Sequence, residues 1–159
     1  MFARWVLAAA FSALVAVGCA PSQPRDKVVH VEADDPEMEQ AKAAARSRLP
    51  EFWAVVDDPK NGETDFALKV EVTDASGTEF FWCNNLIRRD GKLFGTINND
   101  PNTVQSVKFG QEIEIADDKI ADWTYIKDDK IYGNLTMRPL LKTLPKEQAD
   151  ELRAQLAEP

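Results

Sequence analysis

The side chains that could best do chemistry lie close together in the sequence, in the C-terminal third of the chain. Asp122, Tyr125 and Arg138 could bring a carboxylate, a phenol and a guanidinium to one site. A carboxylate beside the indole of Trp123 would have a raised pKa in an apolar pocket. A guanidinium can hold an anionic ligand through paired hydrogen bonds. With one more aromatic residue, these side chains define the candidate binding surface: Trp82, Asp122, Trp123, Tyr125 and Arg138.

Each of these side chains also has a plainer interpretation. The carboxylate of Asp122 could accept backbone hydrogen bonds at a cap or turn, and we favour this role. Trp123 and Tyr125 fit core or rim packing better than a stacking platform. Arg138 could pair with Asp122 or with another nearby acid. The pattern therefore predicts a candidate surface without naming a catalytic residue.

The common catalytic and metal-binding patterns do not occur in this sequence. It contains no GxSxG nucleophile elbow, no HExxH pair, no glycine loop for phosphate and no Cys/His metal spacing. The single histidine, His30, lies in a linker, so it cannot supply a general base or a zinc ligand to a folded domain. The Asn and Asp residues over 98–102 are explained by turn chemistry, because the EF-hand pattern is absent. We expect a non-enzymatic protein with no cofactor and no metal.

The N-terminal segment predicts export and lipidation. Arg4 precedes an apolar run over residues 5–17, which ends at Gly18-Cys19. This run is shorter than the roughly 20 residues of a membrane-spanning helix and fits a cleaved signal peptide. The segment over residues 16–19 resembles the bacterial lipobox, although Ala16 stands where that pattern usually has Leu. Lipidation of Cys19 is the preferred interpretation, and a plain secreted protein is the alternative.

Lipidation would make the membrane the first partner of this protein. Acyl chains on Cys19 would anchor it stably, because two chains already suffice. Ala20 after the cysteine resembles the arrangement in enterobacterial lipoproteins and favours the outer membrane, facing the periplasm. The predicted organisation is a signal peptide over residues 1–18, a flexible tether over 19–34 and a single domain over 35–159. An envelope protein or a cell-wall component is the further partner that this location suggests.

The second cysteine and the overall charge narrow the function further. If Cys19 is acylated, Cys83 has no disulfide partner in the chain, and its apolar flanks favour burial over reactivity. Lys and Arg total 19 against 27 Asp and Glu, for a net charge of −8. Nucleic-acid binding requires a basic surface that displaces counterions. The composition therefore argues against a nucleic-acid partner.

The elements that must position these side chains follow from local patterns. Asp35-Pro36 predicts a helix start, Pro50 interrupts that helix, and Pro145 opens a closing helix. Apolar residues alternate with polar ones from Thr64, and Asp90-Gly91 is a two-residue hairpin turn. We predict an α+β domain whose antiparallel, strongly curved sheet has about five to seven strands between an N-terminal and a C-terminal helix. A barrel-like form of this sheet is the alternative. The predicted strands cover residues 64–72, 78–88, 92–98, 123–126 and 130–132, with one or two more over 104–109 and 112–115.

Several segments resemble the YegJ-like family of bacterial proteins, a domain of unknown function (DUF2314). The resemblance extends from about Asp35 to Leu144, and its most specific part is Asp122-Trp123. It implies a shared fold and supplies no catalytic residues. The segments that carry it are Leu49-Pro50-Glu51-Phe52, residues 65–70, Phe81-Trp82, residues 120–125, Gly133, Thr136 and Arg138.

Three hypotheses about function remain. The leading one is a non-enzymatic binding or accessory lipoprotein that recognises an envelope component through its sheet face. The second is a small enzyme that uses Asp122, Tyr125 and Arg138. The third is an immunity-type protein that protects the cell surface, for which acidity is the only support.

Overall fold

The computed structural model describes residues 35–158. The predicted signal peptide, Cys19 and the tether over 19–34 lie outside the described residues. The elements, in chain order, are α1 Pro36–Ser47, α2 Leu49–Asp57, β1 Thr64–Asp74, β2 Gly77–Arg89, β3 Lys92–Ile97, β4 Glu112–Ile115, a 3-10 turn Asp117–Lys119, β5 Ile120–Lys127, β6 Lys130–Gly133, α3 Met137–Leu140 and α4 Lys146–Gln155.

The two N-terminal helices begin where Asp35 and Pro50 predict. Asp35 caps α1, because its side chain accepts a hydrogen bond of 2.9 Å from the backbone N–H of Glu37. Pro50 lies in the first turn of α2, where its missing N–H costs nothing. The predicted interruption at Pro50 is therefore confirmed as a new helix start. Within residues 35–158, no helix is long and apolar enough to cross a membrane.

The six strands form one antiparallel sheet in the order β4-β3-β2-β1-β5-β6. β1 lies inside the sheet and pairs with β2 on one side and β5 on the other. Since β4 and β6 remain as separate edges, the sheet does not close into a barrel. The predicted α+β class, the antiparallel pairing and the terminal helices are confirmed, and the sheet is an open one.

The main core forms where alternate sheet residues meet the N-terminal helices. Leu68 and Val70 of β1 share one face with Phe81 and Cys83 of β2, and all four are buried with Phe52 of α2. A smaller cluster joins α4 to the segment before it, through Leu141, Ala149 and Leu156. The prediction that Cys83 is a buried apolar residue is confirmed. Burial raises the pKa of its thiol to about 12, so the thiolate nucleophile is suppressed.

The segment over residues 98–111 is a loop, so of the one or two strands predicted over 104–109 and 112–115, only 112–115 is a strand and 104–109 is wrong. Two carboxylates from the β1–β2 hairpin hold the backbone amides that a strand would have paired. Glu79 accepts hydrogen bonds from the N–H groups of residues 102–104 at 2.9–3.1 Å. Asp74 accepts those of Gln105 and Ser106 at 2.7 and 2.9 Å. Local alternation missed these long-range acceptors, which satisfy the segment without a sheet partner.

Candidate functional site

Strand β5 presents two kinds of chemistry on its two sides. Successive side chains of a strand point to opposite faces, so Asp122 and Trp123 are directed apart. Trp123 lies opposite Leu68 of the core row, whereas Asp122 lies opposite Lys69. The five residues of the candidate surface are consequently divided between two environments.

A ladder of three aromatic rings lines the Trp123 side. Tyr125 stacks on Trp123 with ring centroids 6.0 Å apart and an interplanar angle of 10°. Tyr132 of β6 stacks on Tyr125 at 5.0 Å and 5°. The Trp123 indole N–H donates to the carbonyl of Ala45 at 3.0 Å, which fixes the ring against α1. We call Trp123, Tyr125 and Tyr132 the aromatic ladder.

The aromatic ladder forms the wall of a small cavity of about 80 Å³. Arg48 and Glu51 from the junction of α1 and α2 line it on one side, and Arg138 and Glu158 line it from the C-terminal part. Arg48 lies over the Trp123 ring, 5.8 Å from its centroid, and pairs with Glu51 at 2.9 Å. Burial raises the pKa of Tyr125, with Tyr132 adding to the rise, so the phenol is neutral at physiological pH.

Gly133 makes room for the ladder. Its φ is +73°, and a Cβ placed there would lie 2.3 Å from the carbonyl oxygen of Trp123 and 2.4 Å from its ring. Only glycine adopts this backbone and this close approach without strain. The end of β6 is thereby held tightly against the indole.

Arg138 combines one satisfied donor with one buried donor that has no partner among the described residues. Its Nη2 donates to the carbonyl of Ala157 at 2.8 Å and so holds the C-terminal segment. Its Nε is buried and has no hydrogen-bond partner among residues 35–158. Within residues 35–158, Arg138 forms no ion pair with Asp122 or with another acid, so the plainer role predicted for it is wrong. A buried donor without a partner is uncommon in folded proteins and needs an explanation.

The other side of β5 holds a polar group that is fully satisfied. Asp122 is completely buried, and its carboxylate accepts from the N–H of Trp123 at 2.8 Å and from the N–H and hydroxyl of Thr136 at 2.7 and 2.8 Å. Lys69 donates to the Thr136 hydroxyl at 3.1 Å. Burial lowers the pKa of Lys69, while the negative charge of Asp122 acts in the opposite direction. Asp122 accepts backbone hydrogen bonds, as predicted, but it does so from a strand rather than from a cap or turn.

Trp82 lies beside this polar group and away from the cavity. It is the register partner of Lys69, whose ammonium lies 5.7 Å from the centroid of the indole ring. The structure thus brings Trp123, Tyr125 and Arg138 together at the cavity and places Trp82 and Asp122 near Lys69. Among residues 35–158, no group of three or more His, Cys, Asp or Glu residues could hold a metal ion.

Tyr132 is a cavity residue that the predicted candidate surface does not include, although the sequence contains a local signal for its position. Asp128 and Asp129 form a two-residue turn with positive φ of 48° and 57°. Such a turn sets Tyr125 opposite Tyr132, as the structure has it. Arg48 had no comparable local signal, because its approach to the cavity depends on how the α1–α2 junction meets β5.

Comparisons with known proteins agree with the family resemblance. The family described as "Uncharacterized protein conserved in bacteria (DUF2314)" matches residues 35–157. The chain is 42% identical to Uncharacterized protein YegJ of Escherichia coli (strain K12) over 135 residues, covering 85% of this chain and 87% of that protein.

A more distant similarity extends to a larger protein, whose name includes the words "ankyrin repeat protein", from Neisseria meningitidis serogroup B (strain ATCC BAA-335 / MC58). The identity is 24% over 132 residues, which cover 78% of this chain and 52% of that protein. No solved structure matches the chain. The family match and the YegJ similarity show that this chain belongs to the DUF2314 family of proteins conserved in bacteria.

Proposed function

We propose that this protein is a lipid-anchored, non-enzymatic binding protein of the bacterial envelope, and that the cavity beside the aromatic ladder binds its ligand. The observation that carries the proposal is the cavity itself, whose wall is the stacked rings of Trp123, Tyr125 and Tyr132 and whose lining includes the cations Arg48 and Arg138. Concave sites with aromatic walls and a few polar groups are typical binding sites.

The membrane anchor is supported by the order of residues at the N-terminus. The Gly18-Cys19 pair follows an apolar run of signal-peptide length. Acyl chains on Cys19 would hold the domain at the membrane, and Ala20 favours the outer membrane, facing the periplasm. In this location, an envelope protein or a cell-wall component is the natural partner.

The non-enzymatic part of the proposal is supported by the state of the candidate catalytic groups. Asp122 is completely buried, and its carboxylate accepts three hydrogen bonds from Trp123 and Thr136. It does not line the cavity that Tyr125 and Arg138 share. A general base must reach the proton that it removes, so these three side chains are poorly arranged to act together. No specific contact favours the immunity-type alternative.

The location is tested by fractionating bacterial cells that express the full chain. Cells are grown with a labelled fatty acid, and we expect label on the wild-type chain in the membrane fraction and none on the Cys19→Ser variant. A wild-type chain without label would contradict the lipid anchor.

The binding role is tested by affinity capture from detergent-solubilised envelopes. We expect the wild-type chain to retain an envelope component that the Tyr132→Ala variant loses, because Tyr132 is part of the cavity wall. Phe109→Ala is the matched control, since Phe109 is an aromatic residue that is 59% exposed and does not line the cavity. Equal retention by all three chains would place binding elsewhere.

A further inference from the structure

The two edges of the sheet differ in whether another segment covers them. At β6, the C-terminal segment supplies a further partner: Ile131 forms a parallel bridge with Leu156, and its carbonyl accepts from the N–H of Ala157 at 2.9 Å. At β4, no strand among residues 35–158 pairs on the outer side. An uncovered edge presents backbone donors and acceptors to any chain that extends beside it.

The register of β4 shows which of its backbone groups point outward. The carbonyl of Gln111 accepts from the N–H of Ile97 at 2.9 Å, so Gln111 faces β3. Alternate residues of an antiparallel strand direct their backbone groups to the same neighbour, so Ile113 also faces β3. The N–H and C=O groups of Glu112 and Glu114 therefore point away from the sheet. Both residues are exposed, so these backbone groups can pair with an added strand.

The charges along β4 favour a basic partner. Glu112 and Glu114 share one face of the strand, and residues 117–118 add two aspartates just beyond it. Arg89 contacts Oε1 of Glu112 and Lys92 contacts Oε2 of Glu114, both at 2.7 Å. Each carboxylate thus keeps a second oxygen outside its ion pair. A lysine or arginine on an added strand can contact these oxygens as a cross-strand pair.

The same charges oppose pairing between two copies of this chain. Residues directly opposite each other in an antiparallel pair share a face of the sheet. A pair of β4 strands centred on Ile113 would therefore set each Glu112 opposite a Glu114, and like charges in this position are destabilising. The net charge of −8 also favours a basic partner over an identical acidic chain.

A groove of about 390 Å³ continues from the end of β4 toward α2. Glu114 and Ile115 of β4 line it, so the groove is continuous with the uncovered edge. Trp53 and Leu93 add apolar surface and Asp117 adds a carboxylate, while the two cations in its lining are each already in an ion pair. This mixture suits the apolar stem and charged end of a lysine or arginine side chain. Side-chain pockets beside an edge give specificity to peptides that add a strand to a sheet.

We propose that the outer edge of β4 binds an extended, basic polypeptide segment of a partner protein, which adds a further strand to the sheet. The segment alternates between basic residues opposite Glu112 and Glu114 and apolar residues on the face of Ile113. Its backbone pairs with the outward N–H and C=O groups of the two glutamates. This surface shares no residue with the cavity beside the aromatic ladder, so the proposal does not depend on the ligand of that cavity.

The test measures peptide binding to the full chain in micelles of a non-ionic detergent, by fluorescence anisotropy. The probe is a labelled pentapeptide in which lysine alternates with valine, beginning and ending with lysine, and empty micelles give the background. We expect a Kd of about 0.1 mM. A matched pentapeptide with glutamate in place of lysine should bind at least about tenfold more weakly, because like charges opposite each other are destabilising. Equal binding of the two peptides would contradict the choice of a basic partner.

Methylation of the peptide backbone separates strand addition from charge attraction and leaves the protein unchanged. In an antiparallel pair, the lysines opposite Glu112 and Glu114 direct their N–H groups to β4, whereas the valine N–H groups point away. Methylating the backbone nitrogen of the central lysine should weaken binding about tenfold, and methylating that of a valine should change it little. The reverse order would support a parallel added strand. Equal binding of both methylated peptides and the parent peptide would overturn strand addition.

Two substitutions at one position provide the matched test on the protein. Glu114→Pro removes an N–H that points out of the sheet, so the bonds between β3 and β4 are kept, while Glu114→Gln removes the charge and keeps the N–H. We expect binding of the lysine–valine peptide to fall at least about tenfold for Glu114→Pro and about threefold for Glu114→Gln. Glu151→Gln, at an exposed position on α4, is the control for net charge and should bind as the wild type does.

The oligomeric state decides between a partner protein and a second copy. Light scattering from the protein–detergent complex should give one chain per complex for the wild type and for Glu114→Pro. A wild-type dimer that Glu114→Pro dissociates would show that β4 pairs with a second copy and would overturn the proposal. Peptide binding that Glu114→Pro leaves unchanged would place the peptide elsewhere on the protein and would overturn it as well.

Discussion

The two sides of β5 contain buried polar groups with opposite degrees of satisfaction. Asp122 is completely buried and accepts three hydrogen bonds, while Lys69 donates to the Thr136 hydroxyl beside it. On the cavity side, the buried Nε of Arg138 has no partner within residues 35–158. A satisfied buried network stabilises a fold, whereas an unpaired buried donor lowers its stability. The fully buried carboxylate therefore has a structural role, and the incompletely paired guanidinium at the cavity is the candidate for binding.

The largest effect should come from removing the carboxylate on the satisfied side. Asp122→Ala leaves the donors of Trp123 and Thr136 without an acceptor and Lys69 without its nearby negative charge. We expect the free energy of unfolding in urea to fall by about 3 kcal/mol or more. Asp118→Ala, at an exposed carboxylate, is the control and should stay within about 0.5 kcal/mol of the wild type. A similar, small change in both variants would show that the Asp122 network is not structural.

The next effect tests how rigidly the cavity wall is held. Gly133→Ala combines a positive φ of +73° with a Cβ that would lie 2.3 Å from the Trp123 carbonyl oxygen. Gly110→Ala is the matched control, because Gly110 has φ +76° and no atom within 4 Å of the added Cβ. We expect Gly133→Ala to lose about 2 kcal/mol more than Gly110→Ala, by overpacking alone. Equal losses would mean that Trp123 moves aside readily.

A smaller effect on stability is expected at Glu79, and it tests whether a second hydrogen-bonded carboxylate also stabilises the fold. Burial raises the pKa of Glu79, but hydrogen bonds from the backbone N–H groups of Thr103, Val104 and Asn102 outweigh it and lower the pKa from its ordinary 4.5. Because the folded pKa is the lower one, the stabilisation is fully present above pH 4.5 and is lost as the pH falls through the folded pKa. We expect Glu79→Gln to lose about 1 kcal/mol at neutral pH.

The pH dependence provides the measurement for Glu79. Thermal unfolding of the wild type and of Glu79→Gln should differ at pH 7 and converge in acid. Glu151→Gln, at an exposed position on α4, should follow the wild-type curve throughout. A gap between wild type and Glu79→Gln that is independent of pH would refute the anchoring of residues 102–104 by an ionised carboxylate.

The smallest effect on stability should come from the incompletely satisfied side. Arg138→Met loses the hydrogen bond to the Ala157 carbonyl but also removes a buried donor without a partner. These changes oppose each other, so we expect the free energy of unfolding in urea to stay within about 1 kcal/mol of the wild type. A loss as large as that of Asp122→Ala would show that Arg138 is structural, and the contrast between the two sides would disappear.

Much of the fold could be predicted from local patterns. The cap at Asp35, the helix start around Pro50 and the alternation along β1 each depend on residues only a few positions apart, and each is present in the structure. The strand predicted over 104–109 is wrong because backbone N–H groups of this segment donate to Glu79 and Asp74 of a distant hairpin. The pairing of Tyr125 with Tyr132 could have been obtained from the turn between them.

Short-range patterns in the sequence were enough to predict the α+β class, the terminal helices, the family resemblance and the burial of Cys83. These properties follow from short-range spacing and from the choice between apolar and polar residues. The tertiary structure was needed to show that Asp122 and Arg138 do not pair, that Lys69 contacts Thr136, 67 positions away, and that Arg48 and Arg138 line one cavity. Such contacts depend on how distant segments pack against each other. No local pattern predicts which hydrogen-bond donors then remain without a partner.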